Sequence, residues 1–223
     1  MPIELQTIKV LPRIQQRYSV IWMHGLGADG HDFEAIVPEL DLPDDHGIGF
    51  IFPNAPVQAV TINGGMEMRS WYDILEMSLQ RRVDIGGIYQ SSDLIERLIE
   101  KEVNKGIATE NILLAGFSQG GVIALHSALR FSQRLAGVLA LSCYLPTIGQ
   151  LKAEKSEENQ SIPIFMAHGT MDTVVDIQVA KQAFHGLEEL KYPISWQQYP
   201  MQHGVCMEEI QHISQFIKAV FFK

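Results

Sequence analysis

The chain has 223 residues, 46% of them hydrophobic, which is enough apolar material to bury the core of one α/β domain. Against 26 Asp and Glu stand 17 Lys and Arg, so the formal charge is -9 and the surface repels phosphate backbones, which excludes nucleic acid as a natural partner. The acidic residues are spread among apolar ones rather than gathered in a tail, and read as a solvated surface.

Cys143 and Cys206 are the only cysteines, with no CxxC neighbour and no metal-ligand spacing, which argues against a disulfide framework or a zinc site. The start, Met1-Pro2-Ile3-Glu4-Leu5, lacks the basic and apolar stretches of a signal peptide, and no later run has the length to span a bilayer. A cytoplasmic protein without stable membrane insertion is expected.

In chain order, strands are expected at Ile3 to Val10, Tyr18 to Met23 and Ile48 to Phe52, then at Ile112 to Phe117, Gly137 to Ser142, Ile162 to Ala167 and Ile194 to Tyr199. Several are short continuous apolar runs, which suit a parallel sheet covered on both faces. Between them, Leu94, Ile95, Leu98, Ile99 and Val103 recur at helical spacing with Gly106 as C-cap, and a second helix opens just after Ser118. A third carries Ala180, Ala183, Phe184, Leu187 and Leu190, and the last carries Met207, Ile210, Ile213, Ile217 and Val220. The alternation predicts an α/β fold with a mostly parallel central sheet and helices on both faces, in one domain spanning residues 1–223.

Two stretches interrupt it. Residues 54–80 read as a long connection rich in apolar side chains, among them Val57, Ile62, Met66, Met68, Trp71, Ile74 and Met77, and are expected to cover substrate. Gln150 to Gln160 reads as a charged, solvated loop.

Gly116-Phe117-Ser118-Gln119-Gly120 matches G-x-S-x-G between a predicted strand and a predicted helix. The motif needs a sharp turn that lifts the serine hydroxyl off the sheet, and its glycines remove side chains that would collide there. A serine hydroxyl is a poor nucleophile until a base takes its proton. His203 lies after the last strand and before the last helix, giving the order Ser, Asp, His. Asp172 falls in the loop after the strand that ends near Ala167, the edge where such sheets bind ligands. Asp176 is its rival, but it precedes helix-forming sequence and reads as an N-cap.

His24-Gly25-Leu26-Gly27 follows the second strand, where a second oxyanion donor is needed, and the backbone N–H groups of Leu26 and Gln119 are assigned to that role. His24 and His168 each precede Gly at a strand end and read as scaffold residues that bond loop backbone.

The segments HGLGADG, SWYD, GFSQGG, HGTMDTVV and YPMQHG, in this order, resemble the phospholipase/carboxylesterase family, which includes bacterial carboxylesterases and acyl-protein thioesterases. The resemblance covers nearly the whole chain. It implies an α/β-hydrolase fold without a large lid domain, catalysis by Ser118, Asp172 and His203, oxyanion donors at Leu26 and Gln119, and no cofactor or metal. Trp71 of SWYD is expected to pack beside Ser118 and, with Met66 and Met68, to contact substrate, although plain core packing also accounts for Trp71. Two positions depart from the pattern: Asp176, after Val175, stands where the family often has proline, and Gly204, after His203, where serine is frequent.

The leading expectation is a serine carboxylesterase for short to medium acyl esters, acting through an acyl-enzyme. The alternative is an acyl-protein thioesterase or lysophospholipase with the same triad, whose partners are a small acyl ester or thioester, a lipid or an acylated protein. A homodimer is compatible with either. A hydrolase-like scaffold that binds without turnover has no need of all three residues, and a metallohydrolase lacks its helical histidine pair.

Overall fold

A computed structural model describes residues 4–76 and 82–222. The apolar runs form strands β1 (Thr7–Val10), β2 (Tyr18–Met23), β3 (Ile48–Pro53), β6 (Ile112–Phe117), β7 (Gly137–Leu141), β8 (Ile164–Gly169) and β9 (Ile194–Tyr199), with β4 (Val57–Val60) and β5 (Met66–Arg69) between β3 and β6. The helices are α1 (Ile85–Asn104), α2 (Gln119–Arg130), α3 (Ile148–Glu154), α4 (Ile177–Glu189) and α5 (Met207–Phe221).

Seven strands make one sheet in the order β1-β3-β2-β6-β7-β8-β9, parallel throughout except for the antiparallel β1 edge. The two-residue period of each strand supplies two cores. In β2, Ile21 and Met23 face a core built with α1, α2, α3 and α4, whereas Val20 and Trp22 face one built with α5 and the 3-10 turns at residues 34–40. The apolar runs look continuous because both faces are buried, as expected for a covered parallel sheet. Among the described residues, no helix is long and apolar enough to cross a membrane.

The structure departs from the sequence reading in several places, first at β1, which begins at Thr7 with residues 4–6 outside any strand. Residues 54–80 are not one loop, since β4 and β5 pair antiparallel as a separate hairpin, with Gly64 and Gly65 at φ 67° and 78° in its turn. Residues 150–154 are helical as part of α3, although the stretch was expected to be loop. Helix α1 begins at Ile85, nine residues before its apolar series starts at Leu94. Strand β8 runs two residues further than expected, through His168 and Gly169. Ile3, expected in β1, and Met77, expected over the substrate, lie outside the described residues.

Candidate active site

The end of β6 turns into α2 through Ser118, whose φ of 54° and ψ of -118° lie outside the comfortable range for an L-residue and cost about 1–3 kcal/mol. The turn is tight enough that a Cβ on Gly116 would lie 2.1 Å from the Gly120 carbonyl oxygen, and one on Gly120 would lie 2.2 Å from the Met23 carbonyl oxygen. Both glycines of the motif are thus demanded by backbone contact. Ser118 N–H donates to Leu141 O at 2.9 Å, fastening the turn to β7. Ser118 O accepts from the N–H groups of Gly121 and Val122, which starts the helix and leaves the Gln119 N–H at its first turn. Among the described turn and loop hydrogen bonds, neither Leu26 N–H nor Gln119 N–H is a donor.

Two strands away, the loops after β8 and β9 meet backbone to backbone. Thr170 N–H donates to Tyr199 O at 2.8 Å and Met171 N–H to Met201 O at 3.0 Å. A Cβ on Gly169 would lie 2.4 Å from the carbonyl oxygens of both Met201 and Gln202, so only glycine permits this approach. The approach brings His203 Nδ1 to 2.7 Å from Asp172 Oδ2, and because a carboxylate accepts, the imidazole Nδ1–H is the donor. Oδ1 of Asp172 accepts from Val174 N–H and Val175 N–H, both at 2.8 Å. Burial of the Asp172 carboxyl pushes its pKa up, but the bonds from His203, Val175 and Val174 outweigh this and hold it below the ordinary carboxylate range. The His203 ring packs 4.7 Å, centroid to centroid, from that of Phe117, the residue before Ser118. The rival Asp176 instead caps α4, accepting from Gln178 N–H at 2.7 Å.

The two histidines that precede glycine are built into this frame. His24 Nδ1 donates to Gly25 O at 2.7 Å while its Nε2 accepts from Ala55 N–H at 3.0 Å, which fixes a neutral ring. His168 Nε2 donates to Val175 O at 2.8 Å and stands 3.4 Å from Asp172 Oδ2. Burial lowers the pKa of both.

The residues expected to contact substrate separate. Trp71 is only 1% exposed and its indole N–H donates to His24 O at 2.9 Å, so it is a buried support rather than a wall of the site. Met66 lies on the outer part of the hairpin, 64% exposed. Met68 is half-buried, and its sulfur would lie 3.8 Å from a Cβ on Gly27, the residue after Leu26. A cavity of about 630 Å³, mostly apolar, is lined by Leu75, Val83, Ile85, Tyr144, Ile148 and Val179 among others. It lies along the chain that follows β7, the strand between those that lead to Ser118 and to Asp172. The sequence reading missed this groove because its walls come from separate elements, α3 among them. It also missed Gly169, whose signal was its place after His168 at a strand end.

The arrangement has a strained serine at a strand-to-helix turn, an imidazole held by a buried carboxylate, and unclaimed amides on two neighbouring loops. Residues 8–221 match the model of the phospholipase/carboxylesterase family. The chain belongs to that family. It is a serine hydrolase with the α/β-hydrolase fold. Acyl-protein thioesterase 1 of Neurospora crassa is 38% identical to it over 89% of this chain and 85% of the relative, and that of Saccharomyces cerevisiae is 35% identical over 95% and 96%. Among solved structures, SOBER1 of Arabidopsis thaliana superposes with a TM-score of 0.86 at 29% identity, covering 91% of this chain and 98% of that one. Acyl-protein thioesterase 2 of Zea mays gives 0.85 at 25% identity, covering 97% and 99%.

Proposed function

We propose that the chain cleaves acyl thioesters of proteins, with Ser118 as nucleophile, His203 as general base and Asp172 as the group that orients His203. The short-chain carboxylesterase reading, first on sequence alone, yields to its alternative because full-length relatives at 35–38% identity are named acyl-protein thioesterases. The chemistry rests on one observation above the others, the 2.7 Å bond from His203 Nδ1 to the buried Asp172 carboxylate. With Nδ1–H engaged there, Nε2 carries the lone pair that takes a proton.

In this reading Ser118 Oγ gives its proton to His203 Nε2 and attacks the thioester carbonyl carbon. The carbonyl oxygen becomes an anion, received by the N–H groups of Leu26 and Gln119. The C–S bond then breaks, and the leaving thiolate takes the proton from His203. Water, activated by the same imidazole, splits the acyl-Ser118 ester and releases the carboxylic acid. Met68 and the 630 Å³ groove offer apolar surface to the acyl chain.

The test is a matched pair of substrates with one acyl chain, an S-acyl peptide and an oxygen ester, compared by kcat/KM in the parent and in Ser118→Ala. The parent should prefer the S-acyl peptide, and Ser118→Ala should lose activity by on the order of a million-fold. A variant that kept more than a few per cent of activity would remove Ser118 from its role, and a parent that favoured the oxygen ester would remove the thioesterase assignment.

A further inference from the structure

Ser70, Trp71 and Tyr72 form a buried strip of chain between two loops that the proposed mechanism must hold in register. On one side stands Gln119. Its Oε1 accepts from Trp71 N–H at 3.1 Å and from Ser70 Oγ at 3.3 Å, and its Nε2 donates to Tyr72 O at 2.8 Å. The amide side chain thus bonds along the strip through both its oxygen and its nitrogen, and it is 3% exposed at the first position of α2, where side chains more often meet water. On the other side stands the loop 24–27. Trp71 Nε1 donates to His24 O at 2.9 Å, and Arg69 O, just before the strip, accepts from Gly27 N–H at 2.9 Å. These two bonds bracket Leu26.

We infer that residues 69–72 are a positioning brace joining the two halves of the oxyanion hole, with the Gln119 side chain and the Trp71 indole as its two hooks. The inference rests on the proposed role of the Leu26 and Gln119 amides. Those amides lie on separate strands' ends, after β2 and after β6, and hydrogen bonds between the strands stop at Met23 and Gly116. Beyond that point the strip is what ties one loop to the other. An oxyanion is stabilised only if its donors already sit at the right separation, because reorganising them during the reaction forfeits the gain. Gly120 strengthens the reading, since its Cα packs against the carbonyl groups of Met23 and His24 and leaves the His24 oxygen turned to the indole N–H. On the far side of the strip, Ser91 Oγ donates to Trp71 O and Arg69 Nη1 to Ala55 O at 3.0 Å, so the brace is itself anchored to α1 and to the chain after β3.

The experiment compares Trp71→Phe, which keeps a ring but loses the indole donor, with Gln119→Met, which keeps the backbone amide but loses three side-chain bonds. Ser70→Ala, a smaller change in the same strip, serves should either fail to fold. For each, kcat and KM for an acyl thioester and Ki for a trifluoromethyl ketone are measured per folded molecule. The ketone carbon accepts Ser118 Oγ and its oxygen becomes the anion, so Ki reads the oxyanion hole directly. Trp71→Phe should lower kcat roughly three- to tenfold and Gln119→Met by up to roughly a hundredfold. Ki should rise in parallel with each while KM moves less than twofold. A strip with only a structural role would lower Tm and leave kcat and Ki at parent values, which overturns the inference, as does a rise confined to KM. Ser118→Ala separates the two readings. If it is active, the triad assignment fails; if it is inactive while the brace variants match the parent, the brace alone fails.

Discussion

Val175 N–H donates to Asp172 Oδ1 at 2.8 Å, and Val174 N–H reaches the same oxygen at 2.8 Å. Two backbone amides thus hold the carboxylate that accepts from His203 Nδ1–H.

Val175→Pro removes that N–H and is expected to raise the Asp172 pKa by removing a bond to its charged form. A carboxylate with a depressed folded pKa contributes stability that is present above its unfolded value of about 3.9 and lost as pH falls through the folded value. The variant should therefore unfold at a higher pH on acid titration followed by circular dichroism. An unchanged acid midpoint would mean that the Val174 and His203 bonds suffice alone.

Glu209 gives the opposite dependence. It is fully buried in the first turn of α5, and among the described residues neither carboxyl oxygen has a hydrogen-bond partner, although the nearby Cys206 N–H works against the shift. Burial pushes its pKa up to about 8. A folded pKa above the unfolded one leaves stability intact below about 4.5 and erodes it as pH rises to about 8. The loss is at most on the order of 5 kcal/mol. Glu209→Gln should flatten this slope and be the more stable protein at pH 9 in guanidinium titration; parallel pH profiles for parent and variant would rule the effect out.

How far the sequence carried depends on the length of the apolar signal. The strands β2, β6 and β9 are bounded to the residue because each is a run of six ended by a turn or a helix start. The hairpin escaped because β4 and β5 have four residues each, and Gly64-Gly65 reads equally well as a flexible loop or as a tight turn with positive φ. In α1 the first two turns carry Gly86, Gly87, Ser91 and Ser92, whose low helix propensity is overridden by packing. Ser118, Asp172 and His203 were legible because motif, strand ends and chain order each single out a position. The bridging roles of the Trp71 indole and the Gln119 side chain were not, since a side chain buried to join two loops leaves no periodic trace and is settled only by tertiary contact.

Substitution of the two hairpin methionines should give unequal results. Met68→Ser, beside Gly27, is expected to weaken the dependence of kcat/KM on acyl length, which in the parent can reach roughly fourfold per methylene. Met66→Ser, at a side chain 64% exposed, should leave that dependence unchanged. Equal effects from both would detach Met68 from the acyl path. The measurement is kcat/KM across a series of thioesters differing by two carbons.

The cysteines should also differ. Cys143 is buried, and its burial pushes the thiol pKa far up, so the reactive thiolate is scarce; Cys206 is part-exposed. Iodoacetamide on the native protein should label Cys206 and spare Cys143 by mass spectrometry, and denaturant should expose both. Native labelling of Cys143 would contradict the packing of its sulfur against Gly121.

The backbone seam at Gly169 has a bearing on engineering. The Met201 and Gln202 carbonyls meet the Gly169 Cα, so the course of the loop that carries His203 is written in main-chain atoms. Met201, Gln202, Gly204 and Val205 are all at least partly exposed, although Met201 and Val205 also pack against the core beneath. Libraries randomised at those four positions should keep a high fraction of active clones, making the rim beside His203 a ready place to recruit new substrates, whereas a single change at Gly169 would empty the library.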